Sequence, residues 1–262
     1  MIRKVYNSVQ KRGLRGTAAL AWKLLTLPHP SFVRQAQELI RDKSGCEIGG
    51  PSFDFTTRGA IPLYRHAARV DNFQYSSKTR RTDFIDGAPF QFHSRKPAGT
   101  THIREGTDLR VPDGHYDFVL SSHMLEHCAN PLKALKEWHR VAKPRSTFII
   151  LVPYQKWWFD HRRQVTPIQH ILDDYTNGTG EDDMTHFEEI VALTHRPVFS
   201  PEDEPLETYF ASCRDNVHTR QIHHHVFDPD NLRELLRASG LVPIAIECVK
   251  PCHIISLSTR LG

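Results

Sequence analysis

The chain has 262 residues, 39% hydrophobic and 24% charged, with 34 Lys and Arg against 30 Asp and Glu and a formal net charge of +4. That composition supports a full hydrophobic core and excludes a disordered, collagenous or disulfide-stapled chain. No stretch approaches the roughly 18–20 uninterrupted apolar residues that cross a bilayer, and the charge is too mild to point at nucleic acid, although 17 His residues raise it below neutral pH.

Residues 1–43 read as a basic helical extension. No acid precedes Glu38, while Arg3, Lys4, Lys11, Arg12, Arg15, Lys23 and Arg34 are basic. The main expectation is a helix docked on the domain or on a partner. A membrane-surface helix or a targeting peptide is the other reading of the apolar run over 14–27. Ser31 is a candidate N-cap for a helix whose Phe32, Ala36, Leu39 and Ile40 share a face.

From residue 44 to 262 strand and helix signals alternate. Residues 45–48 predict a buried strand running into the Gly49-Gly50-Pro51 turn. Residues 67–70 predict a second strand delivering Asp71 at its end, and residues 74–100 an insertion or long loop. Residues 101–105 and 116–121 predict further strands. Pro131 opens a helix with Leu132, Leu135, Trp138 and Val141 on one face, and residues 147–152 form a β-rich run. Helices are expected over 166–175, 185–195 and 229–239, the last stopped by Gly240. Residues 241–249 and 253–259 close the chain as an antiparallel pair. The pattern predicts a three-layer α/β sheet, mostly parallel, with an antiparallel C-terminal strand pair.

In such sheets ligands sit at the carboxyl ends of the strands. Glycines after the first strand admit a ligand to the backbone, and Asp71, about twenty residues beyond Gly49, suits ribose hydroxyls. The stretch from 106 to 153 is more specific: GTDLRVPDGHYDFVLSSHMLEHCANPLKALKEWHRVAKPRSTFIILVP. With Leu125-Glu126-His127, Asn130-Pro131 and Arg140-Val141-x-Lys143-Pro144 in this order, it resembles the class I, Rossmann-like S-adenosylmethionine (SAM)-dependent methyltransferases. The resemblance is to the branch with a Leu-Glu-His motif after the fourth strand. It implies SAM as cofactor, with Glu47, Gly49 and Gly50 forming the turn under its methionine part and Asp71 on the ribose. It also puts Asp108 and Leu109 on the adenine, and Ser121, Ser122 and His123 beside the methyl group. Pro51-Ser52-Phe53 stand where the family's third glycine falls, and Lys143-Pro144-Arg145-Ser146 where it has Lys-Pro-Gly-Gly.

Residues 154–227 are expected to be the acceptor-binding insertion. From 173 to 207 eleven acids stand against Arg196 alone, which disfavours a polyanionic acceptor. On a helix His186 and Glu189 share a face, with Asp182 and Asp183 just before. That face could bind a divalent metal, orient a substrate hydroxyl with a general base, or be a solvated surface; no metal ligands are assigned. Trp157-Trp158-Phe159 could stack on an acceptor or anchor the core. His161, His186 and His224 are the candidate catalytic bases, His224 because an extended segment turns it opposite to His223 and His225. The expected function is methylation of a hydroxyl on a small molecule such as a sugar, with no nucleic acid as acceptor. A degenerate methyltransferase-like binding or scaffold protein, or an RNA or protein methyltransferase, are the alternatives. Five Cys without zinc-knuckle spacing read as reduced thiols in a cytoplasmic setting.

Overall fold

The computed structural model describes residues 28–79, 83–195 and 205–262. The expected basic helix over 1–27 lies outside them. In chain order the main elements are α1 (Val33–Leu39), β1 (Ser44–Ile48), β2 (Arg69–Gln74), β3 (Pro89–Phe90), β4 (Gly99–Ile103) and β5 (Tyr116–Ser122). Then come α2 (Pro131–Val141), β6 (Ala142–Pro153), α3 (Ile168–Asn177), α4 (Phe187–Leu193), α5 (Leu206–Arg214) and α6 (Asn216–Thr219). α7 (Pro229–Ala238), β7 (Leu241–Val249) and β8 (His253–Arg260) complete the chain.

The eight strands form one sheet in the order β3-β4-β2-β1-β5-β6-β8-β7. The central pairs are parallel, while β8 runs antiparallel to both β6 and β7. This is the Rossmann-like methyltransferase sheet, with β3 added at one edge. Side chains alternate between its faces as the strand period requires. Val119, Phe148 and Ile150 join Trp138, Leu135, Leu232 and Leu236 on the face covered by α2, α3 and α7. Phe118, Leu120, Ile149 and Leu151 pack on the opposite face with Ala36, Ile40, Phe55 and Leu63. There the layer is built by α1 and the segment 53–67, because the β1–β2 connection holds only a 3-10 turn, Phe53–Phe55. The loop expected over 74–100 contributes β3 and buries Phe90 and Phe92 in that same core.

Local chemistry explains the element ends. Asn130 caps α2 by accepting from the Lys133 amide at 3.0 Å, and Asp228 and Asn231 form a capping box on α7. Ser31 is not an N-cap: its amide donates to Glu247 at 2.9 Å, and α1 starts after Phe32 without a side-chain cap.

The second strand differs from expectation in a way that matters for the site. β2 runs to Gln74, so Asp71 sits mid-strand opposite Cys46 rather than at the end. The buried run Val70-Asp71-Asn72-Phe73-Gln74 carries three polar residues inside the sheet, which hides its length from a hydropathy reading.

Candidate active site

At the carboxyl ends of β1, β2, β4 and β5 lies a cleft of about 560 Å³, within the range of small-molecule sites. Ile48 and Gly49 enter from β1, Gln74 and Tyr75 from β2, Glu105 and Gly106 from beyond β4, and Ser122 and His123 from β5. Trp158, Phe159, Tyr209, Arg220 and His223 of the expected insertion face them, together with His253 of β8.

The glycine turn is locked from behind. Glu47, fully buried, accepts from the Ser52 amide at 2.9 Å and from the Tyr64 hydroxyl. Burial pushes its carboxyl up to about 8. A Cβ at Gly50 would lie 2.2 Å from the Glu47 carboxyl carbon, so glycine is required there. Gly49 lines the cleft at φ +84, a conformation that favours glycine. Glu47 and Gly50 thus shape the turn without lining the cleft.

Several expected contacts are corrected. The Asp71 carboxylate faces the core, accepting from the Thr100 amide at 2.8 Å and the Tyr116 hydroxyl at 3.2 Å, with Arg69 at 2.9 Å. Gln74 holds the strand end instead. Leu109 is buried and its amide donates to Glu137 at 2.8 Å, so that amide is already committed. Asp108 pairs with Arg110 at 3.1 Å and borders a separate hollow of about 190 Å³. Glu105 and Gly106 occupy the position in the main cleft that the sequence reading gave to Asp108 and Leu109. Ser121 is buried, its hydroxyl donating to the Ile48 carbonyl at 3.2 Å, whereas Ser122 lines the cleft and donates to Asp54 at 2.7 Å.

His123 and the Leu125–His127 turn carry the densest polar cluster. His123 sits 2.8 Å from His253, ring nitrogen to ring nitrogen, and 3.3 Å from the Glu126 carboxylate. Burial opposes charge on His123, but Cys252 and Glu126 outweigh it and hold the ring well above the ordinary imidazole range. Burial likewise works against the Glu126 charge and is overcome by His123, so that carboxyl is lowered. His253 is pushed down to about 4 by burial and by the charge of His123. His127 is also pushed to about 4 by burial and by His223, whose ring centroid is 4.6 Å away. The Nδ1 of His127 donates to the Ile222 carbonyl at 3.1 Å, and that of His223 meets Asp160 at 2.8 Å.

None of the three expected bases lines the cleft. His161 is turned to the Trp158 carbonyl at 3.0 Å and meets His195 edge-to-face. His186 meets His170 at 3.1 Å and Glu189 at 3.4 Å in a group with His225. His224 is buried against the Asn216 amide at 3.1 Å, and burial pushes it down to about 3. His223 takes the place expected of His224 because residues 220–228 carry no strand, so no ladder enforces two-residue alternation there. Glu126 and His127 lie in the quoted Leu-Glu-His motif, and that motif was the signal that could have found them.

Residues 65–150 match the family model of a methyltransferase domain. Among solved structures the chain is similar to a SAM-dependent methyltransferase from Methanosarcina mazei, at 14% identity and TM-score 0.51, covering 90% of this chain and 99% of that one. It is also similar to a SAM-dependent methyltransferase from Aquifex aeolicus, at 11% identity and TM-score 0.46, covering 91% and 93%. A third is 1,6-didemethyltoxoflavin-N1-methyltransferase from Burkholderia thailandensis, solved with bound 1,6-didemethyltoxoflavin and S-adenosylhomocysteine, at 14% identity and TM-score 0.47, covering 88% and 79%. No curated protein matches the chain. Residues 65–150 thus match a methyltransferase domain, the sheet order is that of solved SAM-dependent methyltransferases, and the cofactor these matches imply is SAM. No described helix is long and apolar enough to cross a membrane.

Proposed function

We propose that this methyltransferase, of the Leu-Glu-His branch, methylates a hydroxyl oxygen of a small polar molecule such as a sugar, with cofactor and acceptor meeting in the main cleft. The lining fits the cofactor. A Cβ on Gly49 or Gly106 would come within 2.9 Å of Met124, so both glycines keep open a cradle that side chains would fill. Gly49 then meets the methionine part, Gln74 offers its amide oxygen to the ribose, and Glu105 with Gly106 faces the adenine. Ser122 and His123 lie toward the methyl group.

SAM supplies the methyl group on a sulfonium, which makes it electrophilic. The chain's own task is to hold the acceptor in line and let its hydroxyl lose a proton as the new O–C bond forms. The observation that carries the reading is the convergence of Glu126, His127 and His223 beside the Trp158–Phe159 wall. Both histidines commit Nδ1–H outward, so each keeps a lone pair on Nε2, and Glu126 adds carboxylate oxygens. Such a group accepts protons and binds hydroxyls. Trp158 and Phe159 offer flat apolar faces of the kind that stack on a sugar ring. Glu105 and Glu181 at the cleft disfavour a polyanionic RNA acceptor.

Calorimetry with SAM and S-adenosylhomocysteine tests the first half. Micromolar binding is expected, and no binding of either at millimolar concentration overturns the reading. Binding without transfer to any of a broad panel of hydroxyl compounds favours the binding or scaffold alternative, which the replacement of an acid by Gln74 supports.

A further inference from the structure

One oxygen of Glu126 pairs with His123, and the other, Oε2, has no hydrogen-bond partner although the side chain is only 1% exposed. A buried carboxylate oxygen without a donor is costly and calls for a positively charged or hydrogen-bonding occupant. A carboxylate oxygen of Glu126 and one ring nitrogen each of His127 and His223 lie within 4.8 Å of one another at the cleft wall.

The hydrogens around this group point the same way. The His223 Nδ1–H is taken by Asp160 at 2.8 Å and the His127 Nδ1–H by the Ile222 carbonyl at 3.1 Å. Each contact fixes the tautomer that leaves Nε2 unprotonated, and a carboxylate or carbonyl behind the ring is the usual support of a metal-binding histidine. Asp160 is itself 3% exposed, so the support is as buried as the ligands. Three acceptors facing one another without a proton to share repel unless a cation lies between them.

We propose that Glu126, His127 and His223 bind one divalent transition-metal cation at the acceptor end of the cleft, through Glu126 Oε2 and the two Nε2 atoms. Two imidazoles and one carboxylate select Zn²⁺, Fe²⁺ or Mn²⁺ over Mg²⁺ or Ca²⁺, which favour oxygen-only sets. Zinc bonds of about 2.0–2.2 Å place neighbouring donors roughly 3.3 Å apart, so the set closes by a movement on the order of 1 Å. Three protein ligands leave coordination positions open toward the cleft. An acceptor hydroxyl bound there is acidified and gives its proton to water, while its oxygen keeps the electron pair for the methyl group. That role rests on the methyl-transfer reading above, whereas cation binding stands without it.

A second group, His170, Asp174 and His225, also comes within 4.8 Å, but its His170 is partly exposed and bonds His186 at 3.1 Å, its Asp174 accepts from Thr179 at 2.9 Å, and it does not border the cleft. It supplies the control.

The test is Zn²⁺ titration of the chelator-stripped full chain by calorimetry, with metal content after dialysis measured by mass spectrometry. One equivalent is expected, lost in His127→Asn and in His223→Asn and retained in His225→Asn. Asp160→Asn, which leaves all three ligands in place, is expected to weaken binding about 10–100-fold. Circular dichroism and SAM calorimetry on each variant separate a lost site from a lost fold. If a ligand variant fails to fold, Asp160→Asn and the wild-type stoichiometry decide. No Zn²⁺ uptake by the wild type overturns the proposal, as does uptake kept by both ligand variants and lost in His225→Asn. Zn²⁺ uptake without SAM binding leaves the metal site standing and sinks the methyl-transfer reading; the reverse result sinks only the metal site.

Discussion

Two of the histidine groups among the described residues are alike in composition and differ in place, one at the cleft and one away from it. In the cleft, His127 and His223 donate through Nδ1 to a carbonyl and a carboxylate, and one ring nitrogen of each lies within 4.8 Å of a Glu126 carboxylate oxygen. Away from the cleft, the partly exposed His170 and half-buried His186 bond to one another at 3.1 Å, Asp174 stands 3.4 Å from His170, and the buried His225 meets the Ala129 carbonyl. This second group ties α3, the start of α4 and the 220–228 segment together, with one buried ring nitrogen, Nδ1 of His225, left without a hydrogen-bond partner. Position at the cleft wall, more than the number of rings, separates the two groups.

The sharpest way to break this comparison is turnover. His223→Ala or Glu126→Gln is expected to lower methyl transfer about 10²–10⁴-fold, measured with any acceptor found, while SAM affinity stays within a few-fold. If His225→Ala or His186→Ala does the same and the cleft variants do not, the two groups have been exchanged.

Carboxylates divide along the same line. Glu105 borders the cleft with Arg220 at 2.7 Å, and Asp71 faces the core. Glu105→Ala should weaken SAM by about 10–100-fold, the worth of one charged hydrogen bond. Isothermal calorimetry checks it, and an unchanged dissociation constant removes Glu105 from the cofactor site. Asp71→Ala should instead lower the melting midpoint by roughly 4–8 °C, because the Tyr116 hydroxyl and Thr100 amide lose their acceptor. The folded variant should still bind SAM.

Acid sensitivity belongs mainly to the buried rings. His224 at about 3 and His127 and His253 at about 4 titrate below their ordinary 6.5, so the unfolded chain binds more protons across that interval. Stability from these groups is present above about pH 6.5 and is lost as pH falls toward 4. Glu47 has the opposite sign: raised to about 8, it favours the folded state at low pH and loses that contribution as pH rises through 8. The melting midpoint should therefore peak near pH 6.5, with the steeper limb on the acid side. His224→Asn should flatten that limb, and a flat profile from 4 to 6.5 in the wild type contradicts the assignment.

The smallest effect is expected at His161, whose ring is held by the Trp158 carbonyl and does not border the cleft. Turnover of His161→Ala should stay within about three-fold of wild type, since no proton transfer depends on it. A hundred-fold loss would return it to the site.

Most of the sheet was legible in the sequence because β5, α2, β6 and the closing hairpin each carry a clean period or cap. The end of β2 was not, since Asp71, Asn72 and Gln74 are polar residues buried within the strand, and ending it early put Asp71 at the rim. The site was half legible. The glycine turn could be read because backbone demand shows in residue type, and His123, which the structure puts at the cleft, came only from the family resemblance. His223 could not, because the segment holding it has neither helical nor strand period. Glu105 was passed over because the resemblance was carried onto Asp108 and Leu109, three residues too far along.

The sheet's strand order has a consequence for how the molecule is assembled. β8 is the last strand in the chain, yet it lies between β6 and β7 rather than at an edge, and its first residue, His253, joins His123 across 130 positions of sequence. Contacts that close so long a loop form late, because the chain entropy they remove is offset only once both flanking strands are in place. The cleft's β8 wall is therefore complete only once the β7–β8 hairpin has docked on β6, and ligand affinity is expected to appear with that docking. The onset of cofactor binding during refolding is thus a clock for that step, lagging behind the backbone signal of the parallel strands.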